Sequence, residues 1–287
     1  MLRMFDYFRP PSLEEALLYV DQHEHTKILA GGTDLLVLLR RNQQMVAHVL
    51  DIKAIPEMHR LEYIPQTGLF IGAAITVNQI IEADDIQKKY RALAQAAEML
   101  ASYQIRNRAT VVGNICNASP GADLAAPLLL FDTNVHIANR QGERMIRCCE
   151  FFTGVKKTVL QPGDIVTGIS LPDVYAGDRS IFLKQARLKG HDLGIVGVAA
   201  RLTAAKELRL AMTAVAPTPI RLTQLENMLN TAPLTSQRAA WAGEAVQQFI
   251  APISDVRSSA EYRLHVSGVL VNRAIMQLLD KGGDADV

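Results

Sequence analysis

Apolar positions along the chain recur with a period near 3.6 in some stretches and near 2 in others, and the switches between the two mark its elements. Pro10-Pro11 followed by Ser12-x-x-Glu15 reads as a capping box that opens a helix through about Gln22. Lys27-Ile28-Leu29-Ala30 is a short buried strand, broken by Gly31-Gly32. Asp34 to Arg41 is leucine-rich and predicts a following helix, and Val46 to Ile52 returns to strand character. Helix, strand, glycine turn, helix, strand implies a small parallel sheet, because parallel neighbours need a crossover between them.

The next stretch changes period. Leu61–Ile64 and Leu69–Gly72 flank Pro65-Gln66-Thr67-Gly68 and predict a hairpin. Helices are expected at Val77–Ala83 and Tyr90–Ser102, the second rich in alanine. Asn107 to Ala122 holds too many Gly, Asn and Ser residues to stay regular for long. Strand pairs follow, Val135–Ala138 with Arg144–Arg147, then Ile165–Leu171 after Pro162-Gly163-Asp164. Pro172 to Asp178 reads as a linker. Beyond it, Ile181–Leu188, Ile195–Thr203 and Leu208–Val215 predict a three-stranded meander stopped by Pro217 and Pro219. Helices are expected at Leu222–Asn230, Thr235–Ile250 and Ser258–Leu279, with a tail that frays from Lys281. A sheet covered by three helices reads as a self-sufficient second domain, and the whole as an α+β protein.

Composition narrows the function. The 287 residues can bury one large core or two ordinary ones. A formal charge of +1 without a long basic stretch argues against nucleic-acid binding. No apolar run approaches the roughly eighteen residues of a membrane span. Met1 to Asp6 lacks the apolar region of a secretory signal, so a cytoplasmic protein is expected. The three cysteines, Cys116, Cys148 and Cys149, form no Cys-x-x-Cys. An iron–sulfur cluster held by this chain alone is therefore not expected. No metal site is expected at His23 and His25.

Two glycine-rich turns carry candidate chemistry. In Ile28-Leu29-Ala30-Gly31-Gly32-Thr33-Asp34-Leu35 a strand ends in two glycines and a helix begins. Unpaired amides and the helix dipole there suit a diphosphate, with Thr33 adding a hydroxyl; a purely structural Gly-Gly turn gives the same pattern. The second turn, Thr110-Val111-Val112-Gly113-Asn114, runs on to Asp123 through a stretch dense in amides and hydroxyls. That stretch suits ribose, phosphate and ring heteroatoms, or is a surface loop with an Asx turn. The chain has neither G-x-G-x-x-G nor G-x-x-x-x-G-K-[ST], so it is neither a Rossmann nor a P-loop protein.

Together, Ala30-Gly31-Gly32-Thr33-Asp34 and Thr110-Val111-Val112-Gly113-Asn114 with Asp123 resemble the FAD-binding subunits of the xanthine dehydrogenase and carbon monoxide dehydrogenase family. Gln104-Ile105-Arg106-Asn107, Lys184-Gln185-Ala186-Arg187 with Asp192, Ala216-Pro217-Thr218-Pro219 and Glu261-Tyr262-Arg263 fit it in order and spacing. The resemblance implies a two-subdomain FAD-binding domain (1–57 and 58–176) similar to the vanillyl-alcohol-oxidase or PCMH type. A carbon monoxide dehydrogenase flavoprotein C-terminal-like domain (177–281) and a frayed tail (282–287) would follow. It further implies that Ile28–Leu35 and Thr110–Asn114 hold the FAD diphosphate, that Asp123 meets the adenosine side, and that Val166 lines the pocket. Lys184 would stand close to the flavin as a cation favouring its reduced anion, with Asp192 nearby; a solvated strand lysine is the plain alternative. The family usually has Gly-Gly before the asparagine, where this chain has Val112-Gly113. Either Val112 takes ordinary backbone angles or the cofactor sits less tightly.

The function implied is electron relay within a molybdenum hydroxylase. A molybdopterin-containing large subunit hydroxylates the substrate and a small subunit carries [2Fe–2S] clusters. This type of chain passes electrons through FAD to NAD or another acceptor. Two other readings stay open, a self-contained FAD-dependent oxidoreductase and a nucleotide-binding or assembly protein without redox turnover.

Overall fold

The computed structural model describes residues 4–41, 46–188 and 192–280. The tail expected to fray from Lys281 lies outside the described residues. A three-stranded parallel sheet opens the chain, with Asp6–Phe8 and Thr26–Leu29 flanking His48–Asp51. Helices Leu13–Gln22 and Leu35–Arg40 lie between its strands in the chain. The Ser12 hydroxyl accepts from the Glu15 amide at 3.2 Å, the first half of a capping box. On the same helix Tyr19 stacks on His23, with ring centroids 4.0 Å apart. The strand expected to be buried at Lys27–Ala30 is only half-buried. It is an edge strand, and the central strand supplies the fully buried Val49 and Leu50.

An antiparallel sheet of five strands forms the second lobe. Its order is Leu61–Ile64, Gly68–Gly72, Ile165–Pro172, Asn134–Asn139, Gly142–Arg147. Both expected hairpins form, pairing Glu62 with Phe70 and Ile137 with Arg144. The helical part is more divided than the apolar period suggests. Asp84–Lys89 precedes Arg91–Glu98, and its acidic first turn and basic last turn suit the helix dipole although its sequence is polar. Ala125–Leu130 is a helix in which all six residues are buried. It is covered all round, so it has no amphipathic stripe to read.

The last sheet has four strands, not three. Ile220–Arg221 adds to the meander of Arg179–Gln185, Val196–Leu202 and Leu208–Thr213, immediately after Pro219. Helices Thr223–Leu229, Ser236–Ala245 and Ala260–Asp280 follow. Every residue of Val196–Leu202 is buried. Val198, Ala200 and Leu202 pack into a core with Leu270, Val271 and Ile275. Ala199, with Phe182 and Ala211, joins the core of the first lobes instead, where helices Arg91–Glu98 and Ala125–Leu130 meet the sheet. The sheet expected to stand alone under three helices thus buries its other face against the preceding lobes.

Hydrogen bonds tie the same seam. The Phe182 amide donates to Gln95 Oε1 at 2.8 Å, and the Ala92 amide to Ser180 Oγ at 3.1 Å. The expected linker is pinned as well. Asp173 accepts from the Tyr63 hydroxyl at 2.8 Å and the Gln66 amide at 2.7 Å, and Asp178 pairs with Arg201.

Helices Ser236–Ala245 and Ala260–Asp280 touch backbone to backbone at two glycines. A Cβ on Gly268 would lie 2.4 Å from the Gly243 carbonyl oxygen, and one on Gly243 2.7 Å from that of Gly268. Gly268→Ala is expected to force the helices apart and lower unfolding stability by about 1–3 kcal/mol, read as a shift in the urea midpoint. An unchanged midpoint would mean that this crossing is slack.

Candidate functional site

The first glycine turn leaves the edge strand Thr26–Leu29 and enters helix Leu35–Arg40. Gly32 is left-handed at φ 77°, and a Cβ there would also press within 2.8 Å of Leu29 Cδ1. Gly31 has a different task. A Cβ on it would fall 2.0 Å from the Arg108 carbonyl oxygen, so the first turn lies directly against the segment that leads into the second. Two turns about eighty residues apart in sequence are thus brought together by one missing side chain.

The second turn is the start of a helix, Val111–Cys116. Thr110 caps it, its hydroxyl accepting from the Gly113 amide at 2.9 Å. A Cβ on Gly113 would sit 2.8 Å from that hydroxyl. Val112 is helical, so it needs no positive φ, and its side chain is buried in the main core. The departure from Gly-Gly is therefore a packing feature with ordinary backbone angles. Val112→Gly should cost about 2 kcal/mol or more in unfolding stability, from lost apolar burial and the flexibility of a helical glycine. Equal stability in a denaturant titration would contradict this packing role.

Beyond the helix, the loop carrying Pro120 and Asp123 is seated on the last sheet. The Ala214 amide donates to the Pro120 carbonyl at 2.7 Å. Lys184 Nζ lies 2.7 Å from Asp123 Oδ2 and 3.1 Å from the Met99 carbonyl, with both charged side chains almost fully buried. Burial pushes the Asp123 carboxyl up, and Lys184 offsets part of that. Lys184 is not a solvated strand lysine. The pair also joins two residues expected at opposite ends of an extended FAD. Among the described residues, Asp123 Oδ1 and Asn114 Oδ1 are buried with no hydrogen-bond partner.

The remaining expected residues lie elsewhere. Asp192 pairs with Arg187 at 3.1 Å and accepts from the Leu193 amide at 2.9 Å, which draws its carboxyl down to about 2. Its bonds tie it to Arg187, three residues past Lys184. Val166 is buried in the main core beside a bulge in Ile165–Pro172, the strand against which helix Val111–Cys116 packs. A cleft of about 820 Å³ opens next to the ion pair, between Met99–Arg106 and Lys184–Leu188. Arg106 holds its wall in place by donating to the carbonyls of Glu98, Leu100 and Ala101. The cysteines are free thiols, and burial pushes Cys116 up to about 12.

Two groups near the turns have no signal in the sequence. Lys53 Nζ donates to the Ala30 carbonyl at 2.9 Å and to Asp51 Oδ1 at 2.7 Å, while the Tyr7 hydroxyl donates to Asp51 Oδ2 at 2.5 Å. This network fixes the strand end from which the first turn departs. Lys156, at the tip of the hairpin Phe152–Gly154/Lys157–Thr158, bonds to the second turn's exit through Asn117 and Ala118. Nothing in a period or motif reports such long-range polar contacts.

Burial pushes the Asp51 carboxyl up, but bonds from Lys53 and Tyr7 outweigh it and leave it below its ordinary value. A carboxylate lowered in the fold adds stability above the unfolded value of about 3.9 and loses it as pH falls through the lowered folded value. Between pH 5 and pH 2, at values of this order, the urea midpoint should fall less steeply in Asp51→Asn than in the parent chain. Parallel curves would show that the network contributes nothing to acid sensitivity.

Comparison with known proteins identifies the family. Residues 3–174 match the profile of the FAD binding domain in molybdopterin dehydrogenase, and residues 181–278 that of the CO dehydrogenase flavoprotein C-terminal domain. The chain is 35% identical to the xanthine dehydrogenase FAD-binding subunit of Escherichia coli O157:H7, over 98% of this chain and 99% of that one. It is 29% identical to the carbon monoxide dehydrogenase medium chain of Hydrogenophaga pseudoflava, over 94% and 96% of the two. The solved carbon monoxide dehydrogenase from the same organism, in a form lacking the Mo-pyranopterin moiety of its molybdenum cofactor, superposes with a TM-score of 0.93 over 98% of this chain and 99% of that one, at 29% identity. The chain belongs to the family of FAD-binding medium subunits of the xanthine dehydrogenase and carbon monoxide dehydrogenase type, and its cofactor is FAD.

Proposed function

We propose that this chain is the electron-transfer subunit of a heteromeric molybdenum hydroxylase, working with a molybdopterin-containing large subunit and a [2Fe–2S] small subunit. FAD, when bound, supplies the redox step between the clusters and a final acceptor, for which NAD is one candidate. The observation that carries the reading is the pair of buried acceptors, Asn114 Oδ1 and Asp123 Oδ1, without partners among the described residues and beside the joined glycine turns. Unpaired buried acceptors cost free energy unless a ligand brings donors to them.

The residues fit an FAD. Ile28–Leu35 and Thr110–Asn114 would flank the diphosphate, at the start of the helix Val111–Cys116. Asp123 Oδ1, the unengaged oxygen of the pair, would accept a hydrogen bond from the cofactor. Lys184 holds that carboxylate in place and sets a positive charge at the same end, where it favours the reduced flavin. Asp192 holds Arg187, three residues past Lys184, and Val166 supports the second turn from the core.

Relay through a partner also accounts for the surface and the thiols. Met99, Tyr103 and Leu188 line the cleft and are exposed, the kind of apolar surface that a partner covers. Three cysteines without cluster spacing leave the electron donor on another chain.

The isolated chain should be yellow, release FAD and not FMN on denaturation, and contain neither iron nor molybdenum. Its flavin should be bleached by a purine, aldehyde or N-heterocycle only after the partner subunits are added. Turnover of an organic substrate by the chain alone would replace the relay with a self-contained oxidoreductase.

A further inference from the structure

Arg263, in the motif Glu261-Tyr262-Arg263, is the largest completely buried side chain among the described residues, at 2% exposed. Burying a guanidinium is costly unless its donors are engaged. From the first turn of helix Ala260–Asp280, its Nη1 donates to the Ile195 carbonyl at 2.6 Å and to the Ala214 carbonyl at 3.1 Å. Its Nη2 donates to Asp255 Oδ1 at 2.8 Å, while Nε has no partner among the described residues. Asp255 is shared with Arg257, which donates to it through its amide at 2.8 Å and its Nε at 2.9 Å.

Both carbonyls belong to segments on which the Asp123 loop is seated. Ala214 is left-handed, at φ 63°, and its amide donates to the Pro120 carbonyl at 2.7 Å. A residue other than glycine keeps that conformation only where its surroundings fix it. Ile195 follows Gly194, where an added Cβ would lie 3.3 Å from Asp123 Oδ1 and 3.5 Å from Lys184 Cε. The Ile195 amide is pinned as well, donating to the Gln185 carbonyl at 2.7 Å. Gly121, between Pro120 and Asp123, faces all of these: a Cβ on it would lie 3.7 Å from Ala214 Cβ, 3.8 Å from Arg257 Nη1 and 3.9 Å from the Gly194 carbonyl oxygen. An apolar side chain would fill the core at lower cost. What the guanidinium adds is a rigid fork that joins two backbone segments on either side of one loop.

We infer that Arg263 is a positioning residue for the cofactor site: through Ile195 and Ala214 it fixes where Asp123 Oδ1 stands. The inference rests on the reading proposed above, in which that oxygen accepts a hydrogen bond from FAD. Asp255 aims the fork, and Arg257 closes the same knot against Gly121. Helix Ala260–Asp280 of the last domain thereby acts on a carboxylate of the FAD-binding domain that it does not touch through its own side chains.

The test is a double-mutant cycle read by FAD titration of the full apo chain, with the flavin reduction potential and the apo urea midpoint measured alongside. Asp123→Asn should bind FAD about ten- to a hundredfold more weakly, the scale of one hydrogen bond to a charged group. Lysine keeps the charge but cannot fork over Asp255 and two carbonyls at once. Arg263→Lys should therefore weaken FAD about tenfold and shift the potential, and adding Asp123→Asn to it should cost clearly less than the two separate losses together. Additive losses, or unchanged affinity and potential in a folded Arg263→Lys chain, overturn the inference and leave Arg263 a fastening of the core. If Arg263→Lys does not fold, Asp255→Asn, at a partly exposed position, runs the same cycle with a smaller expected loss; an apo chain unfolded in both makes the knot a requirement of folding and overturns the inference too. Full affinity in Asp123→Asn sinks the reading beneath and this inference with it, whereas loss in Asp123→Asn with none in Arg263→Lys sinks only the role of Arg263.

Discussion

The site depends on a contact that only glycine allows. At Gly31 the first turn rests so closely on the Arg108 carbonyl that a single added carbon would lie 2.0 Å from the oxygen. The parallel-sheet lobe and the five-stranded lobe meet there. Val77 donates to the Ala109 carbonyl at 2.8 Å in the same place, and a bridge joins Thr76 to Thr110. Separating the lobes by a side chain's width would part the two turns. The Asp51–Lys53 network then has a clear purpose, because it holds the Ala30 carbonyl and so fixes how the strand delivers Gly31 to that contact.

A second constraint sets the other end of the site. The last sheet is buried on both faces, and one of those faces belongs to the core of the first lobes. This rigid seam brings Lys184 onto Asp123 from a strand sixty-one residues away. A buried ion pair is costly to assemble and more costly to break on one side only. Its worth here lies in orientation, since it leaves one carboxylate oxygen engaged and the other without a partner among the described residues. Asp192 illustrates the contrast. Its bonds are spent within its own loop, on Arg187 and Leu193.

Departures from the family pattern also become physical statements. Valine in place of glycine before Gly113 is tolerated because the second turn is a helix start and Val112 packs inward. The backbone demand that would exclude a β-branched residue does not arise there.

By itself the sequence determined the elements whose signals are local. Period-2 runs around turn residues gave the hairpins at Leu61–Gly72 and Asn134–Arg147, and the Ser12 cap and Gly31-Gly32 gave the first lobe. Ordered motifs, weak singly, identified the family and its cofactor. Tertiary structure alone decided the rest. Helix Ala125–Leu130 carries no stripe because it is buried on every side, and Asp84–Lys89 is too polar to show an apolar period. The pairing of Lys184 with Asp123, the contact of Gly31 with Arg108 and the docking of Lys156 on Asn117 join residues far apart in the chain. Their geometry is set by how the sheets pack, and no local pattern encodes it.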